Sequence, residues 1–280
     1  MHPVQPPPQA PAGLRQVAVQ RRRAGHAEAA QDRVAEEVPV ALEFNGISHA
    51  VMLATPADLE DFALGFSLTE EIVDGASDVR GIETAAGPQG ITVQIEIASA
   101  CFARLKQRRR SLAGRTGCGL CGTESLAQGL RPPAALARPL PFAAGAVLQA
   151  MQALRERQPL HAATGATHAA GWSTADGRLA LVREDVGRHN ALDKLVGALL
   201  RERRPAAQGF VAVTSRASYE MAAKTARADV SLLAAVSGVT GLAIDVAQAA
   251  GLALVGFARG DGLSIYTHAD RIHRNEAHGP

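Results

Sequence analysis

The chain has 280 residues, room for one large or two modest domains, and its 47% hydrophobic and 20% charged content is ordinary for a globular protein. A formal net charge of +2 argues against a general nucleic-acid binder, and three cysteines make no disulfide framework, which points to a reducing cytoplasm. No apolar run reaches the roughly 20 residues of a membrane span, and Arg21-Arg22-Arg23 lacks the apolar stretch behind it that an export signal needs.

Residues 1–33, rich in Pro, Gln, Ala and Arg, read as a disordered tail. A smaller α+β domain is expected over residues 34–135. Residues 38–44 and 47–53 flank Asn45-Gly46, the strongest short hairpin signal. Thr55-Pro56-Ala57-Asp58 reads as an N-cap, a first-turn proline and an acidic first turn, opening a helix that places Leu59, Phe62, Ala63, Phe66 and Val73 toward a core. Ile91, Val93, Ile95 and Ile97 alternate with polar residues as a half-buried strand. Residues 99–112 are helical in pattern and end in the basic run 106–110, which suits the helix dipole and can also attract an acidic partner or an anion.

That helix runs into Gly114-Arg-Thr-Gly-Cys-Gly-Leu-Cys-Gly-Thr-Glu-Ser125, a glycine-dense loop holding Cys118 and Cys121. Glycines without a Cβ can turn backbone N–H groups outward, and with Arg115 they favour a thiolate. A thiol lowered from about 8.5 to roughly 6.5 becomes mostly ionised at neutral pH. Structural zinc would need two more ligands, and only Cys101 remains. A thioredoxin-like site would open a helix, usually with a bulky residue or proline nearby. A zinc deaminase wants His-x-Glu ahead of Pro-Cys-x-x-Cys; His26-Ala-Glu28 lies far upstream and Gly117 stands at the proline position. Two small buried cysteines are the plainest alternative, and the fifth reading is a solvent-reachable nucleophile that takes and gives sulfur. Cys101 itself reads as core packing.

Pro132-Pro133, Pro139 and Pro141 mark a domain boundary, and residues 136–280 read as an α/β ligand-binding domain. Strands and helices alternate there at βαβ spacing, which implies a mostly parallel sheet with ligands outside the carboxyl ends of its strands. Polar clusters fall at those ends: Glu184-Asp185 with Arg188, His189 and Asp193-Lys194; Ser215-Arg216 with Ser218, Glu220 and Lys224; and Ala258-Arg259-Gly260-Asp261-Gly262. Singly each suits capping and surface ion pairs. Together they suggest a cleft for a ligand with several phosphates.

The cysteine loop, Glu184-Asp-Val-Gly-Arg-His-Asn-Ala with Asp193-Lys194, Thr214-Ser-Arg-Ala-Ser-Tyr-Glu-Met with Lys224, and Phe257-Ala-Arg-Gly with Tyr266-Thr-His268 resemble the FdhD family, the formate dehydrogenase accessory sulfurtransferases. The Asn45-Gly46 hairpin and residues 54–60 resemble it too. The resemblance implies a cytoplasmic homodimer that moves sulfur from a cysteine desulfurase to the molybdenum cofactor, a bis-molybdopterin guanine dinucleotide, for formate dehydrogenase. It implies a three-layer, cytidine-deaminase-like fold in the C-terminal half and no protein-bound metal. Carried over residue by residue, the persulfide falls on Cys118 with Cys121 in support. The pterin-nucleotide segment falls on Phe257, Ala258, Arg259, Gly260, Asp261 and Gly262, where GDP-like nucleotides would mimic the cofactor. Asp261-Gly262 departs from the bulkier residues of that segment. Asp185, Arg188, His189, Ser215, Arg216, Ser218 and Lys224 complete the expected cleft. The alternatives are a cofactor-holding chaperone without sulfur chemistry and a zinc-dependent deaminase-like hydrolase.

Overall fold

The computed structural model describes residues 13–112 and 132–274. Residues 14–33, expected to be disordered, are paired: β1 (Leu14–Arg23) runs antiparallel to β2 (His26–Ala35) across an Ala24-Gly25 turn in which both residues have positive φ. The charged composition hides the reason. Folded on itself, the segment sets Arg21 opposite Glu28 and within 3.6 Å of Asp32, and half-buries Val17 and Val19. Residues 1–12 lie outside the described residues.

The Asn45-Gly46 turn joins β3 (Val38–Phe44) to β4 (Ile47–Ala54) as expected, with both turn residues at positive φ. With β5 (Val79–Gly87) and β6 (Gly90–Ile97) they make a four-stranded sheet of order β4-β3-β6-β5. One face carries Val40, Leu42, Phe44, Val93, Ile95 and Ile97 onto two helices, α1 (Leu59–Thr69) and α2 (Ser99–Leu112). Cys101 of α2 is buried in this core.

The expected helix entry at Thr55-Pro56 is displaced. Helix α1 starts at Leu59, its N-cap Asp58 takes a left-handed conformation, and that side chain makes no cap hydrogen bond. Thr55 is occupied elsewhere: its N–H donates to Asp185 at 3.0 Å, its hydroxyl accepts from the Val186 N–H at 3.2 Å, and its carbonyl accepts from Lys194 at 2.9 Å. A residue committed to three partners across the molecule is unavailable as a local cap.

The C-terminal half follows β7 (Phe142–Ala143), α3 (Ala144–Glu156), α4 (Pro159–Thr164), β8 (His168–Thr174), β9 (Leu179–Asp185), α5 (Arg188–Arg201), β10 (Gly209–Val213), α6 (Tyr219–Arg227), β11 (Leu232–Ala235), α7 (Gly241–Ala250), β12 (Ala253–Arg259), β13 (Gly262–Thr267) and β14 (Ile272–His273). Six of these strands form one sheet of order β13-β12-β11-β10-β8-β9. It is mixed, where a mostly parallel sheet was expected. Only β10–β11 and β11–β12 are parallel; β8–β9, β8–β10 and β12–β13 are antiparallel. Tight connections 175–178 and 260–261 allow only antiparallel neighbours, whereas helices α6 and α7 supply the crossovers that parallel strands need. Alternate residues of the central strands face two separate cores, one including residues of α5, α6 and α7 and the other residues of α3.

The halves meet where α1 crosses α5. A Cβ on Gly65 would stand 1.8 Å from the Asp193 carbonyl oxygen, and one on Gly197 would stand 1.8 Å from that of Asp61. The two backbones therefore touch, which only glycine permits. We expect Gly65→Ala to cost about 3 kcal/mol or more in urea unfolding. Gly241→Ala, where an added Cβ meets nothing within 4 Å, should stay within about 0.5 kcal/mol of the parent.

Candidate functional site

The carboxyl ends of β9, β10, β11 and β12 fall on one side of the sheet, so the three polar clusters read from the sequence are gathered there by topology. A cavity of about 690 Å³ opens at this side. Thr214, Val236 and Gly260 line it from just past β10, β11 and β12, Ala258 and Arg259 from the last residues of β12, and α3 and the 158–168 segment supply the opposite wall. Its size is that of a small-molecule site.

Glu184 shapes that wall. Buried, it accepts the N–H groups of Leu160 at 2.9 Å and His161 at 2.8 Å and the Thr167 hydroxyl at 3.1 Å. It thereby supplies the cap that the N-cap residue of α4, Gln158, does not. His161 Nδ1 lies 2.9 Å from the Thr167 carbonyl oxygen. A carbonyl only accepts, so Nδ1 carries a proton. His168 opens β8 beside this wall, and burial, with Arg188 and His161 nearby, pushes its imidazole below the ordinary range.

Of the residues proposed from the sequence, Ala258, Arg259 and Gly260 line the cavity. Phe257 precedes them at φ 52°, a left-handed backbone in a β-bulge that holds its ring 42% exposed, with the Arg259 guanidinium 6.0 Å from the ring centre. Asp261 and Gly262 are exposed at the β12–β13 turn, outside the lining. Cys118 and Cys121 lie outside the described residues.

Asp185 and Lys224 are not rim groups. Asp185 and Lys194 are fully buried with 2.6 Å between their charges. Asp185 also accepts from the Gly187 N–H at 2.8 Å and Asn190 Nδ2 at 3.0 Å, which fixes the turn into α5. Lys224 reaches both oxygens of Asp193 at 3.0 and 2.9 Å, the Thr69 hydroxyl at 2.9 Å and Glu70 at 2.8 Å. Burial works against its charge, but Asp193 and Glu70 together hold the ammonium above the usual lysine range. A third set joins the halves through Asp61, buried and held by Arg183 at 2.8 Å and Arg201 at 2.9 Å.

Arg188, His189, Ser218 and Glu220 are brought together at the first turns of α5 and α6. The Ser218 hydroxyl donates to Glu220 at 3.0 Å, and His189 Nε2 lies 3.5 Å from the same carboxylate. Burial and the Arg188 charge lower the His189 imidazole to about 4 against the pull of Glu220. Ser215 is buried and donates to the Arg216 carbonyl at 2.9 Å. Arg216 is exposed, and neither it nor Arg188 has an ion pair among the described residues. Reasoning from sequence placed Glu184 in a strand-end cluster without seeing its supporting role, and missed His161 and His168; a histidine on a six-residue helix and another at a strand start carry no periodic signal.

A group of Asp74, Asp78 and Cys101 has donor atoms close enough for a metal ion. Arg104 already occupies it, ion-paired to Asp74 at 2.8 Å and donating to Cys101 Sγ at 3.4 Å, while burial pushes the thiol up.

A cavity at the strand ends of a mixed sheet, joined through close backbone contacts to a second sheet-bearing half, defines a mixed α/β protein with a candidate small-molecule site. The chain belongs to the FdhD/NarQ family, whose model matches residues 35–273. It is 61% identical over 259 residues to a sulfur carrier protein FdhD of Bordetella petrii, covering 91% of this chain and 92% of that one. Against the protein of the same description in Variovorax paradoxus it is 61% identical over 242 residues, with 86% and 87% covered. Among solved structures, a putative formate dehydrogenase accessory protein of Desulfotalea psychrophila shares the fold with a TM-score of 0.71 at 23% identity, over 93% of this chain and 99% of that one.

Two measurements check the electrostatics. Lys224→Met should cost about 3–5 kcal/mol in urea unfolding because Asp193 is left buried and unpaired, and Lys224→Met with Asp193→Leu should recover much of that loss. His189 should stay neutral in an NMR titration down to about pH 5, since its folded value is about 4. Its unfolded value is higher, near 6.5, so the unfolded chain takes up the proton first. Its contribution to stability is therefore present above about pH 6.5 and is lost as the pH falls from there toward 4.

Proposed function

We propose that this protein carries persulfide sulfur on Cys118 from a cysteine desulfurase to a molybdenum cofactor bearing guanine dinucleotides, which it holds at the strand ends for formate dehydrogenase. Family membership and relatives described as sulfur carrier proteins support the sulfur half of this reading. The observation that carries the ligand half is the exposed, left-handed Phe257 stacked by Arg259, leading directly into the cavity-lining Ala258-Arg259-Gly260. An aromatic face beside a guanidinium suits a purine or pterin, and the arginine fork suits its phosphates.

In the loading step the Cys118 thiolate attacks the terminal sulfur of the desulfurase persulfide. A new S–S bond forms on Cys118, the old one breaks, and the desulfurase cysteine leaves as thiolate. Cys121 is the supporting thiol. Molybdenum is cargo, arriving within the ligand. The same reading takes the protein as a cytoplasmic homodimer whose C-terminal half is of the three-layer, cytidine-deaminase-like kind.

Incubation with a desulfurase and cysteine should add one sulfur to Cys118 by mass spectrometry. Cys118→Ala should fold normally yet leave formate dehydrogenase inactive; full maturation by that variant would sink the carrier role and leave a cofactor-holding chaperone. Phe257→Ala should weaken GDP binding in calorimetry by about tenfold, the loss expected for one stacked base; unchanged affinity would remove Phe257 from the site.

A further inference from the structure

We propose that the β1–β2 arm of one copy lies across the outer face of the four-stranded N-terminal sheet of a second copy, and that the exchange is reciprocal. It deepens the homodimer of the reading above, on which it rests for the second copy, and is independent of the sulfur chemistry.

The arm is a two-stranded ribbon in which directly opposite residues share a face. One face carries both acids of the ribbon, Glu28 and Asp32, and the half-buried Val17, Val19 and Val34. The other face carries Arg22 and Arg33 among alanines and glutamines. It holds no carboxylate, and both arginines are exposed with no ion pair among the described residues. At the root, a Cβ on Gly13 would stand 2.5 Å from Thr55 Cγ2, so the ribbon is seated firmly on its own chain. Beyond the root it has little to lie on, and a two-stranded ribbon alone in water is marginal at best.

Helices α1 and α2 cover only the inner face of the N-terminal sheet. On the outer face, Val51 and Leu53 of β4 are 63% and 56% exposed, opposite Ala41 and the exposed Pro39 of β3. Farther across the same face stand the half-buried Glu43 and the exposed Glu83 and Glu96, without ion pairs among the described residues. Glu83 and Glu96 line a concavity of about 320 Å³ together with Gln94 and Asn45.

The two surfaces match in charge and in span. From β4 to β5 is three strand spacings, about 14 Å, and from Ala18 to Arg22 is four residues, also about 14 Å along the ribbon. An arm crossing the strands therefore sets Ala18 over Val51 and Leu53 while Arg22 enters the acidic concavity. Exposed apolar side chains are covered, and unpaired bases meet unpaired acids. Within one chain both surfaces stay exposed, so the complement of each is supplied by another copy. Each copy owns one arm and one face, and a two-fold axis closes the exchange.

Analytical ultracentrifugation of the full-length protein at micromolar concentrations tests this. The parent should be a dimer that loosens as salt is raised. Arg22→Glu with Arg33→Glu, and separately Glu83→Arg with Glu96→Arg, should each weaken it at least about tenfold with the far-UV circular dichroism unchanged. Mixed in equal amounts, the two variants should pair with each other, because every arm then meets a face of opposite charge. A parent dimer indifferent to both reversals, or a mixture no tighter than its components, would overturn the arm exchange and leave the homodimer standing. A monomeric parent would overturn both. Sulfur loading of Cys118, read by mass spectrometry on the same samples, reports on the carrier role separately.

Discussion

Backbone meets backbone where α1 crosses α5, and the remaining architecture is built outward from that contact. Gly65 and Gly197 face the carbonyls of Asp193 and Asp61, so each helix presses a glycine onto a residue of the other. The same two aspartates send their carboxylates into the interface, to Lys224 and Thr69 on one side and to Arg183 and Arg201 on the other. Close approach and ion pairing thus fix a single register between the helices. Sliding by a residue would clash and strand several charges at once. Because α5 begins at the strand ends, this register also sets where Arg188 and His189 stand.

Acids and bases are distributed unevenly across this frame. The buried carboxylates Asp185, Glu184 and Asp193 each accept three or more hydrogen bonds, whereas Arg188 and Arg216 near the strand ends have no ion pair among the described residues. A chain with a formal charge of only +2 can in this way present a locally positive edge. Low local dielectric strengthens that bias, since salt and water screen buried charges poorly.

Much of this was legible in the residues, but unevenly. Asn45-Gly46 announced its hairpin because turn chemistry is local, and the strand–helix rhythm announced the strand-end clusters because topology gathers successive ends on one side. Partners far apart in the chain left no such trace. Thr55 lies 130 residues from Asp185, and Lys224 lies 154 from Glu70, so a threonine resembling a cap and a lysine resembling a ligand group proved to be bonds between halves. The antiparallel edges escaped a rhythm count that saw alternation but not the tight turns 175–178 and 260–261. The β1–β2 pairing was masked by its own charges, which read as solubility until they are set across from one another. The cysteine loop stands outside the described residues, and its chemistry is carried by its sequence.

Phe257 illustrates a tension confined to one position. Its left-handed backbone costs about 1 kcal/mol or more for a residue with a side chain, and a ring left 42% exposed regains little by burial. Glycine would relax the strand there and erase the aromatic face. On the proposed reading, folding and recognition pull this residue in opposite directions, a small island of frustration in an otherwise consistent fold. Selection for heat tolerance alone would drift it toward glycine, and what it gained in melting temperature it would forfeit in grip on the flat, ring-bearing guest proposed for it.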